Sequence, residues 1–316
     1  MTIALQRDEI FERIREQLVR PGVLPIGFQS GLKMEWLPGD ASNRYYGRLR
    51  SPSGESLVVM VMNAPEAFKS EEVTGADEKK ITELPFVTIG RKLFSEKILV
   101  PQIVYVDPRS EFLVLDDLGD ELLYDRRQKG PALDLYKEAL SILARFQKIQ
   151  PFEPAASRRF TTELLDWEAE HFVEYALVKN NKNASEAMLK EIRSFLTKAV
   201  REIAAEPYVL SHRDYHSKNL MIDGKSGKIA LIDFQDALMG PADYDLASLL
   251  RDSYVTFSDE EESNLLQHYE RESGRRVNPR IFGLVSVQRN LKAVGRFFYI
   301  SKVKGRDTHL PYVVPT

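Results

Sequence analysis

Apolar residues fall at helical spacing near the start of the chain, then regroup into the short runs of a sheet. Ile10, Ile14 and Leu18 share one face, which predicts a helix from Arg7 to Leu18. Strands are predicted at Leu32 to Leu37, Arg44 to Arg50 and Ser56 to Met62, separated by the turns Pro38 to Asn43 and Ser51 to Gly54. Pro65 to Lys97 has a partly helical pattern, with breaks expected near Gly75, Pro85 and Gly90. Gln102 to Val106 and Phe112 to Leu115 read as two more strands around the turn Asp107 to Ser110.

After Gly119 the period becomes helical. Leu133 to Ile149, Thr162 to Val178 and Ala184 to Ile203 each present an apolar stripe, and helices are predicted again from Tyr244 to about Lys302. Between these blocks lie Tyr208 to Leu210 and a hairpin with arms Leu220 to Ile222 and Ile229 to Ile232. The fold class is α+β: a sheet-rich N-terminal lobe, residues 1–116, and a larger, mostly helical C-terminal lobe, residues 117–316. The acidic stretch Asp116 to Asp120 marks the boundary.

Composition removes several classes. With 44 basic and 47 acidic residues the net charge is −3, so no basic excess points to nucleic acid or a membrane surface. No cysteine is present, which excludes disulfides, thiolate metal sites and cysteine nucleophiles and fits a reducing cytosol. The densest apolar stretch, Leu57 to Met62, is far too short to span a bilayer, and the first residues lack the apolar centre of a signal peptide.

The chemistry concentrates in one block. His212-Arg213-Asp214 is followed by four residues and Asn219, and Asp233-Phe234 follows the second arm of the hairpin. Taken singly, Asp214 and Asn219 are ordinary turn residues and Asp233 a strand-end cap. Together they match what phosphoryl transfer requires: Asp214 to orient and deprotonate the attacking hydroxyl, and Asn219 and Asp233 as oxygen ligands for Mg²⁺ brought together by a hairpin.

These residues resemble the aminoglycoside phosphotransferase and choline kinase branch of the protein-kinase-like fold. Within it the chain is most similar to bacterial anomeric sugar kinases acting on N-acetylmuramate and N-acetylglucosamine in cell-wall recycling. Gly39-Asp40-Ala41-Ser42, Asp117-Leu118-Gly119, Gln235-Asp236-Ala237, Gly240-Pro241, Tyr244-Asp245, Gln288-Arg289 and Leu291-Lys292 extend the likeness beyond the catalytic block. The resemblance implies a cytoplasmic enzyme using ATP and Mg²⁺ on a small sugar. It implies that Asp40, Ser42 and Asn43 lie in the loop over the nucleotide phosphates, although a plain hairpin turn accounts equally for each alone. Asp117 falls in the hinge beside the base, where the backbone rather than the side chains would recognise adenine. Lys218 could reach the transferring phosphate or simply be solvated, Asp236 and Arg289 could touch the sugar, and His212 and Asp245 read as structural.

One departure stands out. The third strand, Val58-Val59-Met60-Val61-Met62, lacks the lysine that usually pairs with the α- and β-phosphates. Arg44 and Arg48 lie on one face of the neighbouring strand, and Arg44, nearer the phosphate loop, is the expected replacement. The missing lysine keeps a nucleotide-binding pseudokinase open as an alternative. An aminoglycoside-type phosphotransferase stays open as well: Asp166, Glu170 and Glu174 share a helix face that could attract amines or could simply be exposed.

Overall fold

The computed structural model describes residues 3–28, 32–37, 44–62, 83–180 and 184–316, with side chains described from residue 9 onward. The predicted phosphate-loop residues Asp40, Ser42 and Asn43, and the predicted break at Gly75, lie outside the described residues. Helix α1 (Ile3–Leu18) precedes an antiparallel sheet of β1 (Lys33–Trp36), β2 (Arg44–Arg50), β3 (Ser56–Met62), β4 (Ile103–Val106) and β5 (Phe112–Asp116), in the order β1-β2-β3-β5-β4. The unbroken apolar run of β3 has a simple cause: both faces of the sheet are covered. Leu57, Val59 and Val61 join Ile10, Ile14 and Leu18 of α1 in one core. Met60 and Met62 point the other way and pack with Val87 and Leu93 of helix α2 (Pro85–Ser95).

Helix α2 corrects one expectation. Gly90 is not a break; it is a buried interior residue of α2, and Pro85 is the first helical position, where a missing N–H costs nothing. The glycine is there because Phe234, next to a predicted metal ligand, packs against it. A Cβ on Gly90 would lie 3.2 Å from the Phe234 ring, and the Phe86 and Phe234 rings stand 4.8 Å apart.

The helical lobe comprises α3 (Leu123–Lys129), α4 (Leu133–Phe146), α5 (Thr162–Phe172), a π-helical continuation (Val173–Val178), α6 (Glu186–Ala204), α7 (Asp243–Leu250), α8 (Asp259–Ser273) and α9 (Pro279–Lys304). Two short antiparallel pairs interrupt them: β7 (Leu220–Ile222) with β8 (Ile229–Leu231), and β6 (Tyr208–Ser211) with β9 (Leu238–Pro241). Strand β9, Leu-Met-Gly-Pro, was hidden by its glycine and proline; it survives at the end of a two-stranded ladder, where a missing N–H is tolerated. Helix α9 crosses α5 at Gly295, where a Cβ would sit 2.7 Å from the Phe172 backbone nitrogen, so only glycine permits this approach. Among the described residues, no helix is long and apolar enough to cross a membrane.

The main core runs through both lobes, from Met60 and Leu113 of the sheet to Leu143 and Leu249 of the helices. Arg48 of β2 fastens the joint. Its guanidinium lies 2.6 Å from Asp117 and 2.8 Å from Asp120 and donates to the Gly119 carbonyl at 3.2 Å. Burial would push the Asp117 carboxyl up, but Arg48, Ser56 and the Gly119 N–H hold it below its ordinary value. Arg48 is therefore committed to the hinge.

Gly90→Val should force Phe234 to move. Overpacking of this kind costs about 1–3 kcal/mol. Denaturant titration should show that loss, and turnover should fall with it even though residue 90 touches no ligand; a variant equal to the parent in both would show that Phe234 moves freely.

Candidate active site

The register of the β7–β8 hairpin assembles the site. Leu220 pairs with Leu231, and one step further the Ile232 N–H donates to the Asn219 carbonyl at 3.1 Å. Asn219 and Asp233 are thereby brought side by side. The Asn219 side-chain amide donates to the Asp214 carbonyl at 3.0 Å, leaving Oδ1 as the available ligand atom. His212 shares a 3.0 Å hydrogen bond with the Ile232 carbonyl, tying the start of the catalytic loop to the strand that delivers Asp233. Arg213 and Asp233 both adopt positive φ, 76° and 62°, a conformation that non-glycine residues hold only when the surroundings enforce it.

Two buried aspartates tie down the loop that carries Arg213. Asp245 of α7 accepts the backbone N–H groups of His212 (2.6 Å) and Arg213 (3.0 Å), the structural role expected of it. Asp252, just beyond α7, accepts from the backbone N–H and hydroxyl of Ser217, at 2.9 and 2.5 Å. Sequence reasoning missed Asp252, because nothing in its neighbours signals that it reaches the loop.

A third carboxylate organises the charge around Asp214. Glu168 of α5 is fully buried and lies 2.8 Å from Lys292 and 3.4 Å from Arg213. The Tyr244 hydroxyl and the Gln288 amide also donate to it, at 3.3 and 3.2 Å. Burial would lower Lys292, but Glu168, Tyr244 and Asp214 hold the ammonium above its usual range. Burial would likewise raise Asp214; Lys292 leads a group of cations that includes Arg213 and Arg289 and holds the carboxyl well below the usual range. Asp214 is therefore ionised at neutral pH. Burial drives the neighbouring His216 down to about 4, which leaves it neutral there.

The surroundings of Asp233 have the opposite character. Asp233 is packed among protein atoms on a wall that stays open to the cleft, and its side chain keeps 46% of its surface. Desolvation, with Asp214 and Asp236 nearby, pushes its carboxyl up, while the Gln235 amide, 2.9 Å away, and Arg44 oppose the rise. The same amide donates to Asp236 at 3.0 Å. Arg44 stands 3.7 Å from Asp233, so the cation expected on the nucleotide phosphates reaches across to the carboxylate expected to hold metal. Asp233 and Asp236 crowd one amide, with Arg44 beside Asp233, and such a pair of carboxylates suits a divalent cation. Among the described residues, no cluster of three acidic or histidine side chains could hold a metal unaided, and Mg²⁺ is commonly held by one or two carboxylates plus phosphate oxygens.

Lys218 is placed differently from a phosphate contact. Its ammonium lies 3.7 Å from the ring centre of Tyr254, 4.6 Å from that of Tyr312 and 4.8 Å from that of Tyr124. The Tyr124 and Tyr312 hydroxyls meet at 3.2 Å. This cage holds the segment after α9 against the catalytic loop, helped by Asn290, which donates to the Thr316 carbonyl at 3.2 Å, and by His309 stacked on Phe297. Asp214 opens beside this segment onto a cavity of about 170 Å³, walled by Arg289, Lys292 and Arg296 of α9 and by His309.

Solved structures share this architecture. The choline kinase of Streptococcus pneumoniae superposes with a TM-score of 0.64 over 98% of this chain and 95% of its own, at 16% identity. A type VIII aminoglycoside-3′-phosphotransferase gives 0.56 over 90% and 98%, at 18% identity. Fold and site together define a kinase-like phosphotransferase. The family model of the "Phosphotransferase enzyme family" matches residues 34–280, and the chain belongs to that family. Curated relatives include the N-acetylmuramate/N-acetylglucosamine kinase of Pseudomonas aeruginosa, 30% identical over 86% of this chain and 78% of the relative. The kinase of the same name from Neisseria meningitidis is 28% identical over 87% and 80%.

Lys218→Met tests the cage. Each ring contributes about 0.5–2 kcal/mol with a desolvated cation. The variant should lose stability on that scale in thermal melts while its ATP affinity by calorimetry stays unchanged; a large loss of ATP affinity with normal stability would return Lys218 to the phosphates.

Proposed function

We propose that this chain is an ATP-dependent kinase of an amino sugar, transferring phosphate to the anomeric hydroxyl of N-acetylmuramate or N-acetylglucosamine in cell-wall recycling within the cytoplasm. The observation that carries the reading is the wall of the cavity beside Asp214. Apart from Asp214 itself, its charged side chains are the cations Arg289, Lys292 and Arg296. A polycationic aminoglycoside would be repelled there, whereas a neutral or singly anionic sugar is accepted. The named relatives support the same acceptor.

In this reading residues 1–116 bind nucleotide and residues 117–316 carry the catalytic loop and the acceptor. Asp214, kept ionised by its neighbours, orients the attacking hydroxyl and accepts its proton as the hydroxyl oxygen bonds to the γ-phosphorus of ATP and the bond from that phosphorus to the departing ADP breaks. The anomeric hydroxyl is more acidic than an ordinary alcohol, so a carboxylate base suffices. Asn219 and Asp233 would hold Mg²⁺, which when bound neutralises charge on the nucleotide phosphates. Asp40, Ser42 and Asn43 would cover the phosphates, and the backbone around Asp117 would recognise the base. Asp236, held by Gln235 beside the metal side, is assigned to the sugar. Arg44 would exchange its Asp233 partner for the phosphates as metal and nucleotide arrive.

Phosphorus NMR of the product tests the acceptor. Incubation with Mg-ATP and each sugar should give a phosphate coupled to the anomeric proton. Phosphate on C6, or turnover with aminoglycosides only, overturns the reading, and absence of turnover with any acceptor would favour a pseudokinase. Asp214→Asn should cut turnover about 10²–10⁴-fold with ATP affinity kept.

Arg44→Ala should weaken ATP by about 1.5–3 kcal/mol, the worth of charge-assisted hydrogen bonds, and adenosine much less. Calorimetry with both ligands checks this, and equal losses would remove Arg44 from the phosphates.

A further inference from the structure

The loop from His212 to Asn219 is tied to the helical lobe at two points. Asp245 takes the backbone N–H groups of His212 and Arg213 at its root. Asp252 takes Ser217, which stands between Asp214 and Asn219, and both Asp252 and Ser217 are buried. The Asp252 carboxylate divides its two oxygens. Oδ2 accepts the backbone N–H and the hydroxyl of Ser217, at 2.9 and 2.5 Å. Oδ1 accepts the Tyr254 N–H at 2.9 Å. Ser217 sits inside a closed turn. The His216 N–H and the Asn219 side-chain amide both donate to the Asp214 carbonyl at 3.0 Å, and the Asn219 N–H donates to the His216 carbonyl at 2.9 Å. A shift of Ser217 therefore carries Asp214 and Asn219 with it.

The other oxygen fixes the surface that faces this turn. Tyr254 lines the cavity beside Asp214. Its ring centre lies 3.7 Å from the Lys218 ammonium and 5.6 Å from the centre of the His216 ring. One carboxylate thus sets the turn against the cavity wall. Asparagine cannot replace it. Three donors converge on two acceptor oxygens, whereas an amide offers one oxygen and an NH₂ that donates. That NH₂ would face the N–H of either Ser217 or Tyr254, and one tether would break. We propose that Asp252 is a positioning residue for phosphoryl transfer, holding Asp214 and Asn219 in register with the wall against which the acceptor is seated. The inference rests on the roles given above to Asp214, Asn219 and the cavity, and adds to them the group that keeps the three aligned.

The test measures turnover per folded molecule with Mg-ATP and N-acetylmuramate or N-acetylglucosamine. The parent is compared with Asp252→Asn, Ser217→Ala, the double variant and Asp214→Asn, and circular dichroism melts give the folded fraction of each. Asp252→Asn should lower kcat about 10- to 100-fold, the cost of displacing reacting groups by about 1 Å, while calorimetry finds metal-free ATP affinity unchanged. Ser217→Ala keeps the N–H tether and loses the hydroxyl, and should lower kcat about 2- to 10-fold. The double variant should be no slower than Asp252→Asn, because both changes act through one contact. A purely structural role would lower the melting temperature and leave kcat per folded molecule at the parent's value. That result in Asp252→Asn, or in Ser217→Ala should Asp252→Asn not fold, overturns the inference, and so do losses that multiply in the double variant. If the parent phosphorylates neither sugar, or if Asp214→Asn keeps the parent's turnover, the reading above fails and takes the inference with it.

Discussion

The buried carboxylate of Glu168 is the interaction on which the surroundings of Asp214 depend. It joins α5 to Arg213 at the root of the catalytic loop, to Tyr244 of α7 and to Gln288 and Lys292 of α9. A lone charge at this depth would be expensive, and two cations and two neutral donors make it tenable. The arrangement also fixes geometry. Helix α9 can lie this close to α5 because Gly295 removes the Cβ that would collide, and the approach brings Lys292 within reach of Glu168. The same contact keeps the field around Asp214 positive, so its carboxylate stays charged in surroundings that would otherwise neutralise it.

Around Asp233 the problem is inverted. Asp233 and Asp236 share one amide, and Arg44 supplies the cation drawn to Asp233. The sheet offers no lysine from β3, whose inward positions are Met60 and Met62. The neighbouring strand offers two arginines instead and divides the labour between them. Arg48 is held by Asp117 and Asp120 at the joint between the lobes, and Arg44 reaches Asp233. The two side chains share a face of β2, and four residues of strand separate the one at the joint from the one beside Asp233.

The sequence made some of this readable and hid the rest for physical reasons. Asp214, Asn219 and Asp233 stood out because polar residues at fixed spacing interrupt apolar hairpin arms, and the hairpin register does unite Asn219 with Asp233. Strands β2 and β3 were legible to the residue, since turn residues bracket them. Glu168 was not: in Trp-Glu-Ala-Glu-His it looks like its exposed neighbour Glu170, and only the packing of α9 decides which acid is buried. Lys292 was visible as a motif without a role for the same reason. Gly90 misled because a helical glycine normally weakens a helix, and the ring that makes it useful is far away in sequence. Lys218 was ambiguous because the rings of its cage come from three separate segments.

That cage also sets an order of events during biosynthesis. Tyr124 and Tyr312 touch across 188 residues of chain, with Lys218 and Tyr254 between them. At about 5–20 residues per second, the catalytic loop is made several seconds before Tyr312. In that interval the nascent chain holds Asp214, Asn219 and Asp233 but lacks the segment that seals Lys218 and carries His309 to the cavity wall. The cavity wall beside Asp214 is thus completed by a segment joined well after the loop, and a translation product truncated before that segment would have the loop without the finished wall.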